Sequence, residues 1–252
     1  MTATIFQMDK ILIGVPVYNE AKHVKPVLQA IGRYADDILV IDDGSTDNTP
    51  MALASQPVEV IRHARNRGYG RAMQELLRRA AFDGYGWLIT MDCDLQHEPA
   101  ALPSFFRAIQ DNDADVISGS RYMPESGSDG DAPPERQAIN RHLTNCINTR
   151  LDLQLTDAFC GFKAYRTISC AHLPLDVDGY EFPLQFWVQA VAHGLRIREV
   201  PIRLIYNDPT RTFGGPLDDA DNRRRVYEQT FKGELDRWMH RLPAPQSSAE
   251  VS

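Results

Sequence analysis

Asp92 and Asp94, two aspartates separated by one residue, are the side chains in this sequence best placed to do chemistry. They follow residues 87–91, a short apolar run of β-type residues that predicts a buried strand. Carboxylates at i and i+2 beyond a strand end can direct hard oxygen donors at one point, as Mg²⁺ or Mn²⁺ carrying substrate phosphates requires. The alternative interpretation is a polar turn that caps the helix predicted after Pro99.

The elements that must position these carboxylates alternate along the first half of the chain. Apolar runs typical of strands are separated by helical patterns, and the predicted strands are residues 11–15, 38–41, 58–61, 87–91 and 115–119. This alternation predicts βαβ units with right-handed crossovers and a mostly parallel sheet. Ligands of such sheets bind beyond the carboxyl ends of the strands.

Polar and acidic residues follow three of these predicted strands, at residues 18–20, 42–43 and 92–94. Since parallel strands end at the same edge of a sheet, we expect the three clusters to converge on one rim. There they can accept hydrogen bonds from a nucleobase and ribose and can hold a metal. The sequence has neither the G-x-G-x-x-G dinucleotide pattern nor the G-x-x-x-x-G-K-[ST] phosphate loop, so phosphate charge would be met by metal and arginine.

Beyond Tyr122 the alternation weakens. Residues 124–134 are rich in Gly, Ser, Asp and Pro, which predicts either a mobile loop or a linker. The patterns that follow are helices at 135–153, 181–193 and 218–241, a loop entering a short strand at 156–166, and an alternating strand at 195–202. Pro201 would place that last strand at an edge or an end of the sheet.

Composition limits the classes of function. With 252 residues, 43% hydrophobic and 24% charged, the chain has the make-up of an ordinary soluble globular protein. A net charge of −7 argues against a general nucleic-acid binder. The four cysteines show no C-x-x-C spacing, so we predict neither a zinc site nor a disulfide framework. We therefore expect the protein to be in a reducing compartment. We find no signal peptide and no apolar run of about 18 residues, which predicts a cytoplasmic protein without a membrane span.

Six motifs, spread in order over about two thirds of the chain, identify a family. They are residues 15–20 (VPVYNE), 41–49 (IDDGSTDNT), 66–70 (NRGYG), 91–99 (MDCDLQHEP), 119–122 (GSRY) and 156–162 (TDAFCGF). In these motifs the chain resembles the family-2 glycosyltransferases of the GT-A fold, in particular the dolichol- and polyprenyl-phosphate sugar synthases. The resemblance implies an α/β, Rossmann-like GT-A fold with helices flanking a mostly parallel central sheet. It also implies inverting transfer of a sugar from a nucleoside-diphosphate sugar to a polyprenyl phosphate, with Mg²⁺ or Mn²⁺ as cofactor.

The same resemblance implies a domain organisation. A single GT-A domain covers residues 1–242, with a nucleotide-binding half at about 8–122 and an acceptor half at about 123–242. Residues 243–252 are predicted to be a disordered tail. Many relatives carry a membrane-spanning tail that we do not find in this sequence, so a lipid acceptor would be met peripherally, at the bilayer surface. The residues indicate no particular oligomeric state.

On the donor side, the resemblance assigns roles to residues of the predicted rim. The nucleoside pocket is implied to be lined by Pro16, Tyr18, Glu20 and Asp43. The metal on the diphosphate is implied to be held by Asp92, Asp94 and Gln96, which makes Asp94 a catalytic residue. The alternative for Pro16 and Tyr18 is that they only shape a turn, and Asp43 can simply satisfy backbone donors.

On the acceptor side, the resemblance implies that Arg121 faces an acceptor phosphate. Arg136 and Arg141 are further candidates for that phosphate, and Asp157 is implied to lie near the donor sugar. Guanidinium groups suit this task because they match phosphate oxygens with two parallel hydrogen bonds. The alternatives are that Arg121 pairs with Asp115 and that the other two arginines only solvate a helix.

The sequence departs from the family after its late Pro-Ile strand. Asn207 stands where the family has an arginine, and residues 213–215 (FGG) replace its small-residue and lysine signature, so Arg211 is the candidate for the missing charge. A hydroxyl acceptor therefore stays open, and it would need a carboxylate base, for which Asp157 and Glu181 are the candidates. A non-catalytic protein that binds nucleotide sugars is the third interpretation.

Overall fold

The structure, a computed structural model, describes residues 10–95, 97–129, 134–205 and 219–244. Its strands are β1 (Ile11–Val17), β2 (Ile38–Asp42), β3 (Glu59–Arg62), β4 (Trp87–Thr90), β5 (Val116–Ser120), β6 (Ser128–Asp129), β7 (Lys163–Arg166), β8 (Ile197–Pro201) and β9 (Leu204–Ile205). Its α-helices are α1 (Val24–Ile31), α2 (Thr49–Ala54), α3 (Tyr69–Phe82), α4 (Leu102–Gln110), α5 (Pro134–Leu151), α6 (Thr167–Cys170), α7 (Phe182–Ala192) and α8 (Ala220–Trp238). Short 3₁₀ turns precede α4 and follow α8.

Seven of these strands form one mixed sheet in the order β3-β2-β1-β4-β7-β5-β8. All neighbours in it run parallel except β7, which is antiparallel to both β4 and β5. The predicted mostly parallel sheet is therefore confirmed, and β8 lies at its edge, as Pro201 indicated. The direction of β7 was not predicted. Because β7 runs in the opposite direction, it begins at the end of the sheet where the neighbouring strands β4 and β5 terminate. Lys163 is in register with Thr90 of β4 and Ser118 of β5.

Helices cover both faces of the sheet because its strands are apolar on both sides, as expected for parallel strands. On one face, Leu88 packs in a buried cluster with Leu76 of α3. On the other, Ile89 packs with Ile31 of α1 and Phe105 of α4. Each such side chain contributes roughly 1.5–3 kcal/mol by burial, so the rim is built on a rigid support.

Most predicted elements are present within two or three residues of their expected bounds. The predicted helix at 218–241 is observed as α8 and its 3₁₀ turn, and the strand expected within 156–166 is β7. Of the predicted loop at 124–134, residues 128–129 form β6, which pairs with β9. Arg211, Asn207, Gln96 and residues 245–252 of the predicted tail lie outside the described residues. No helix within the described ranges has the length and apolar character that crossing a membrane would take.

Candidate active site

The rim at the carboxyl ends of the strands collects the predicted site residues. β1, β2, β4 and β5 are mutually aligned and end there, and β7 begins there because of its reversed direction. The segments that meet at this rim are therefore residues 18–20, 43–45, 91–95, 121–122 and 156–162. The predicted convergence of the three acidic clusters is confirmed, and two further segments join it.

Asn19 holds the first two of these segments together. Its backbone lies in the left-handed region, with φ 57°, which asparagine tolerates better than most residues. Its side-chain carbonyl accepts hydrogen bonds from the N–H groups of Thr46 at 2.8 Å and Asp47 at 3.3 Å, and its own N–H donates to Ser45 Oγ at 2.9 Å. Tyr18, the residue before it, is 42% exposed at the rim, so a planar ligand can stack on its ring.

Pro16 and Glu20, which were also predicted to line the nucleoside pocket, lie in β1 and directly after it. Pro16 lies within β1, in register with Ile41 of β2. Glu20 follows the strand, and its carboxylate lies 2.6 Å from Nδ1 of His23. Its backbone N–H donates to Thr49 Oγ1 at 2.8 Å, which fixes the turn against the start of α2.

Asp43 anchors the loop that leads into α3. The residue is only 4% exposed. Its Oδ1 accepts a hydrogen bond from the Arg67 N–H at 2.9 Å and lies 2.6 Å from His63 Nδ1. Its Oδ2 accepts from the Gly68 N–H at 2.8 Å. Gly68 has φ 103°, and a Cβ there would overlap the carbonyl oxygen of Asp178. Asp43 thus does accept hydrogen bonds from backbone N–H groups, which was the alternative role left open by the sequence. Oδ2 still has capacity for one further donor.

Asp92 and Asp94 follow β4 in a tightly turned loop, in which Leu95 adopts a left-handed conformation with φ 61°. The Asp92 side chain is 31% exposed, so its oxygens are accessible. It lies against Gly161 in the segment before β7, where an added Cβ would overlap both of its carboxyl oxygens. Only glycine at position 161 therefore allows the carboxylate to occupy this position.

His97, which the sequence did not single out, supports the same loop from below. Its Nδ1 accepts from the Asp92 N–H at 3.1 Å, which places the proton of the neutral ring on Nε2, 3.7 Å from Asp92 Oδ2 and 3.9 Å from Cys160 Sγ. Burial favours this neutral form, whereas the neighbouring Asp92, Cys160 and Asp94 act in the opposite direction and raise the pKa of His97. The ring packs on Phe162 at 5.5 Å, so an apolar contact holds the loop in place.

These residues fit a divalent cation. Asp92 and Asp94 supply hard oxygen donors, and within the described ranges no group of three or more His, Cys, Asp or Glu side chains is arranged to enclose a metal. Mg²⁺ is commonly held by one or two carboxylates together with substrate phosphates and water. The donor set thus suits a metal that arrives with a phosphate ligand, and Gln96, the third predicted ligand, lies outside the described residues.

Arg121 and Asp157 form a buried, bidentate ion pair. Nε donates to Oδ2 at 2.6 Å and Nη2 donates to Oδ1 at 3.0 Å, while the Arg121 N–H donates to Oδ2 at 3.2 Å. The side chains are 16% and 1% exposed. Burial alone would raise the pKa of Asp157, but the Arg121 charge holds that pKa below its ordinary value. The alternative pairing of Arg121 with Asp115 is wrong, because Asp115 pairs with Arg166 and Arg196.

Glu199 on β8, which the sequence did not indicate, positions Asp157. Its carboxylate accepts from the Thr156 N–H at 2.8 Å, the Thr156 hydroxyl at 2.9 Å and the Asp157 N–H at 3.0 Å. Ser120 at the end of β5 lies 2.5 Å from the same Thr156 hydroxyl. The segment before β7 is thereby fixed to both β5 and β8, and a single sequence carries no signal for this register.

A cleft of 420 Å³ opens beside this ion pair, between α5 and the segment after β5. It is lined by Tyr122, Gln137, Asn140, Arg141, Thr144, Asn145, Leu155 and Thr156; six of these carry an amide or a hydroxyl group, although carbon atoms make up most of the lining surface. Arg141 is exposed here, whereas the side chain of Arg136, on the first turns of the same helix, lies outside the described part of the structure. Glu181 directly precedes α7 and makes no side-chain cap bond to it.

Sequence comparison finds relatives along most of the chain. Residues 12–173 match the family described as glycosyl transferase family 2. The chain is 30% identical over 244 residues to an undecaprenyl-phosphate mannosyltransferase of Micrococcus luteus, covering 91% of this chain and 96% of that one. It is 29% identical to a polyprenol monophosphomannose synthase of Mycolicibacterium smegmatis, covering 93% and 92%.

Comparison of structures supports the same fold. Glucosyl-3-phosphoglycerate synthase from Mycobacterium tuberculosis, crystallised with Mn²⁺, uridine diphosphate and glucosyl-3-phosphoglycerate, superposes with a TM-score of 0.70 over 94% of this chain and 81% of that one. At 19% identity the likeness establishes the fold alone. The seven-stranded mixed sheet with flanking helices is thus the GT-A fold that the motifs predicted.

Proposed function

This chain belongs to glycosyl transferase family 2 and is a glycosyltransferase, and from that premise we propose what it transfers and to what. The donor is a nucleoside-diphosphate sugar bound with Mg²⁺ or Mn²⁺, the acceptor is a polyprenyl phosphate, and the anomeric configuration is inverted. The observation that carries the proposal is the position of the Asp92–Asp94 pair and the Arg121–Asp157 ion pair on one rim, at the ends of β4 and β5. The relatives named for undecaprenyl and polyprenol phosphates support the acceptor class.

On the donor side, the proposed nucleoside pocket lies between the segments after β1 and β2. Tyr18 offers an exposed ring for stacking, and Asp43 retains acceptor capacity on Oδ2 for a donor group of the base or ribose. Asp92 and Asp94 would hold the metal, which stabilises the charge of the leaving nucleoside diphosphate when bound. The Gly161 backbone and the His97 ring keep Asp92 in place.

On the acceptor side, the proposed role of Arg121 depends on how Asp157 engages it. Asp157 accepts from Nε and Nη2 and so fixes the plane of the guanidinium, while Nη1 makes no hydrogen bond within the described ranges. That nitrogen can donate to an acceptor phosphate oxygen. Because Asp157 neutralises the Arg121 charge, further cations are needed to attract a phosphate. Arg141 in the adjacent cleft is the described candidate, together with Arg136 and Arg211.

The proposed chemistry needs no strong general base. A phosphate monoester is mostly ionised at neutral pH, so its oxygen can attack the anomeric carbon directly, in line with the departing diphosphate. The residues of this chain then have to orient the two substrates and keep their charges apart. For a lipid phosphate this takes place at a bilayer surface, with the isoprenoid chain remaining in the membrane.

A sugar or small-molecule hydroxyl as acceptor is the second candidate, and the amide side chains of Gln137, Asn140 and Asn145 in the cleft favour it. Such an acceptor would need a carboxylate base. Asp157 is committed to Arg121, and its lowered pKa makes it a weak base, so Glu181 becomes the stronger candidate. The two acceptors can be distinguished by their products: a glycosylated polyprenyl phosphate is extracted into organic solvent, whereas a glycosylated sugar or small molecule stays in the aqueous phase.

The decisive experiment combines binding and turnover. We expect nucleoside diphosphates with Mn²⁺ to raise the melting temperature, because a ligand that binds only the native state stabilises it. Labelled sugar from the matching donor should then appear in organic extracts when polyprenyl phosphate vesicles are supplied, and chelation should stop the transfer. Labelled product that stays in the aqueous phase, and forms only when a glycan or small-molecule hydroxyl is supplied, would instead establish a hydroxyl acceptor. No metal-dependent binding or hydrolysis of any nucleotide sugar would leave a non-catalytic protein and contradict the proposal.

A single methyl group at position 161 should disturb the metal site. Gly161→Ala places a Cβ where the Asp92 carboxyl oxygens lie, so we expect the carboxylate to move and Mn²⁺-dependent nucleotide binding to weaken about 10- to 100-fold. The position has no left-handed backbone that alanine would strain. Gly233→Ala on α8, where an added Cβ meets nothing within 4 Å, is the matched control. Titration calorimetry with nucleotide and Mn²⁺ measures both, and unchanged affinity in Gly161→Ala would rule out this packing argument.

A further inference from the structure

Tyr69, the first residue of α3, has a ring held rigidly at the rim. It stacks on Tyr180 with a centroid distance of 5.7 Å and an interplanar angle of 13°, and it meets the edge of Phe182 at 6.4 Å and 75°. The two flanking glycines let the backbone of residues 177–179 approach: a Cβ at Gly68 or Gly70 would overlap carbonyl oxygens of that segment. The direction of the phenol is therefore fixed by packing on both sides.

The hydroxyl of this rigid ring is not engaged by any residue that the structure describes. Within the part of the chain that the structure describes, it makes no hydrogen bond, although the residue is half-buried. Burial, and after it the negative charge of Asp92, raise the pKa of Tyr69 well above its ordinary value. The phenol thus stays protonated at neutral pH and is a hydrogen-bond donor. Because this hydroxyl is not among the fully buried polar atoms without a partner, it is open to a ligand or to water and can donate to either.

The position of Tyr69 fixes what such a ligand can be. The N–H groups of the two preceding residues, Arg67 and Gly68, bond to Asp43 in the proposed nucleoside pocket. The negative charge of Asp92, in the proposed metal site, contributes to the raised pKa of this phenol. Tyr69 thus directly follows the segment bound to Asp43, on the rim that also carries Asp92, and a diphosphate that joins a nucleoside to a metal has to lie along this rim.

We propose that the Tyr69 hydroxyl donates a hydrogen bond to the β-phosphate of the donor, the phosphate that carries the sugar. This rests on the proposed function and adds a residue to it. A neutral donor suits this place because the metal supplies the positive charge. The negative charge on this phosphate grows as the sugar departs, so the bond strengthens during the reaction and should affect kcat as well as binding.

Tyr69→Phe tests the contact, because it removes one oxygen and keeps the ring that packs on Tyr180 and Phe182. With Mn²⁺ present, we expect the Kd for a nucleoside diphosphate to rise about 10-fold or more, as when a hydrogen bond to a charged group is lost. The Kd for the matching nucleoside monophosphate, which lacks the β-phosphate, should stay within about 2-fold. The control is Tyr34→Phe. Tyr34 is exposed and precedes β2, so it lies at the amino ends of the strands, away from the rim.

Each other result decides against the contact. Equal diphosphate affinity in Tyr69→Phe and wild type would overturn it, and so would equal losses for monophosphate and diphosphate, which would indicate a structural role or a contact to the nucleoside. A loss confined to the intact nucleotide sugar would move the contact to the sugar and overturn the phosphate assignment. A wild-type protein that binds no nucleoside diphosphate with metal would overturn the proposed function itself, and this contact with it.

Discussion

Replacing Asp94 with alanine should abolish sugar transfer while the protein remains folded. Asp94 and Asp92 are the carboxylates that follow β4 at the rim, and within the described ranges no larger group of metal-binding side chains substitutes for them. Losing a metal that stabilises a leaving diphosphate removes several kcal/mol of transition-state stabilisation, or at least about 10³-fold in kcat. The variant should also lose the Mn²⁺-dependent part of nucleotide binding, measured by calorimetry with and without chelator.

The control for this variant is the replacement of an aspartate at the amino ends of the strands, opposite the rim. Asp113 precedes β5, pairs with Arg198 and is far from the rim by topology, so Asp113→Ala should transfer sugar normally. Circular dichroism and melting temperature establish that both variants fold. An Asp94→Ala protein with wild-type turnover, in the presence or absence of chelator, would contradict the metal assignment.

Arg121→Ala should be the most destabilising single substitution at the rim. Removing the guanidinium leaves the Asp157 carboxylate, 1% exposed, without its counter-charge. Breaking a buried ion pair on one side typically costs about 3–5 kcal/mol, which for a chain of this size lowers Tm by roughly 6–20 °C. Acceptor turnover should fall as well, about 10- to 100-fold, if Nη1 holds the acceptor phosphate. Arg196→Ala, whose exposed side chain pairs with Asp115, is the matched control and should cost far less.

The pH dependence of this loss separates charge from packing. In the wild type the pKa of Asp157 is lowered, so its pair stabilises the fold above the unfolded pKa and loses that effect as pH falls through the folded value. In Arg121→Ala the buried, unpaired carboxylate should have a raised pKa, so the variant loses stability as pH rises through that value. The difference in unfolding free energy should therefore widen from acid to neutral pH in urea titrations. A constant difference would point to lost packing contacts instead.

The sequence predicts the first half of this fold because its strands are short apolar runs in a βαβ series. From that pattern alone, the rule for parallel sheets brings residues 18–20, 42–43 and 92–94 to one rim. The Arg121–Asp157 pair could not be predicted in this way. It depends on β7 entering the sheet backwards between β4 and β5, and four residues carry no information about which strands they will join. The pairing with Asp115 looked equally reasonable because Asp115 is nearer in sequence.

The supporting residues were missed for a related reason. Glu199 reaches Thr156 and Asp157 only because β8 pairs with β5 in one register, and alternation within a strand does not specify register between strands. His97 belongs to a quoted motif, yet its bond to the Asp92 N–H is a property of a folded loop. Gly161 is likewise informative only once the carboxylate it accommodates is located.

The reversed strand β7 also sets the earliest moment at which the two parts of the sheet can be joined during synthesis on a ribosome. β4 and β5 do not pair with each other; Lys163–Arg166 joins them. During translation, β7 is synthesised about 40 residues after β5, which at about 5–20 residues per second is a delay of roughly 2–8 s. Throughout that interval β4 presents an open edge of the kind that invites pairing with other chains. Nascent chains stalled between Ser120 and Lys163 should therefore depend on chaperones, because β4 and β5 can be joined only after Lys163–Arg166 has emerged from the ribosome.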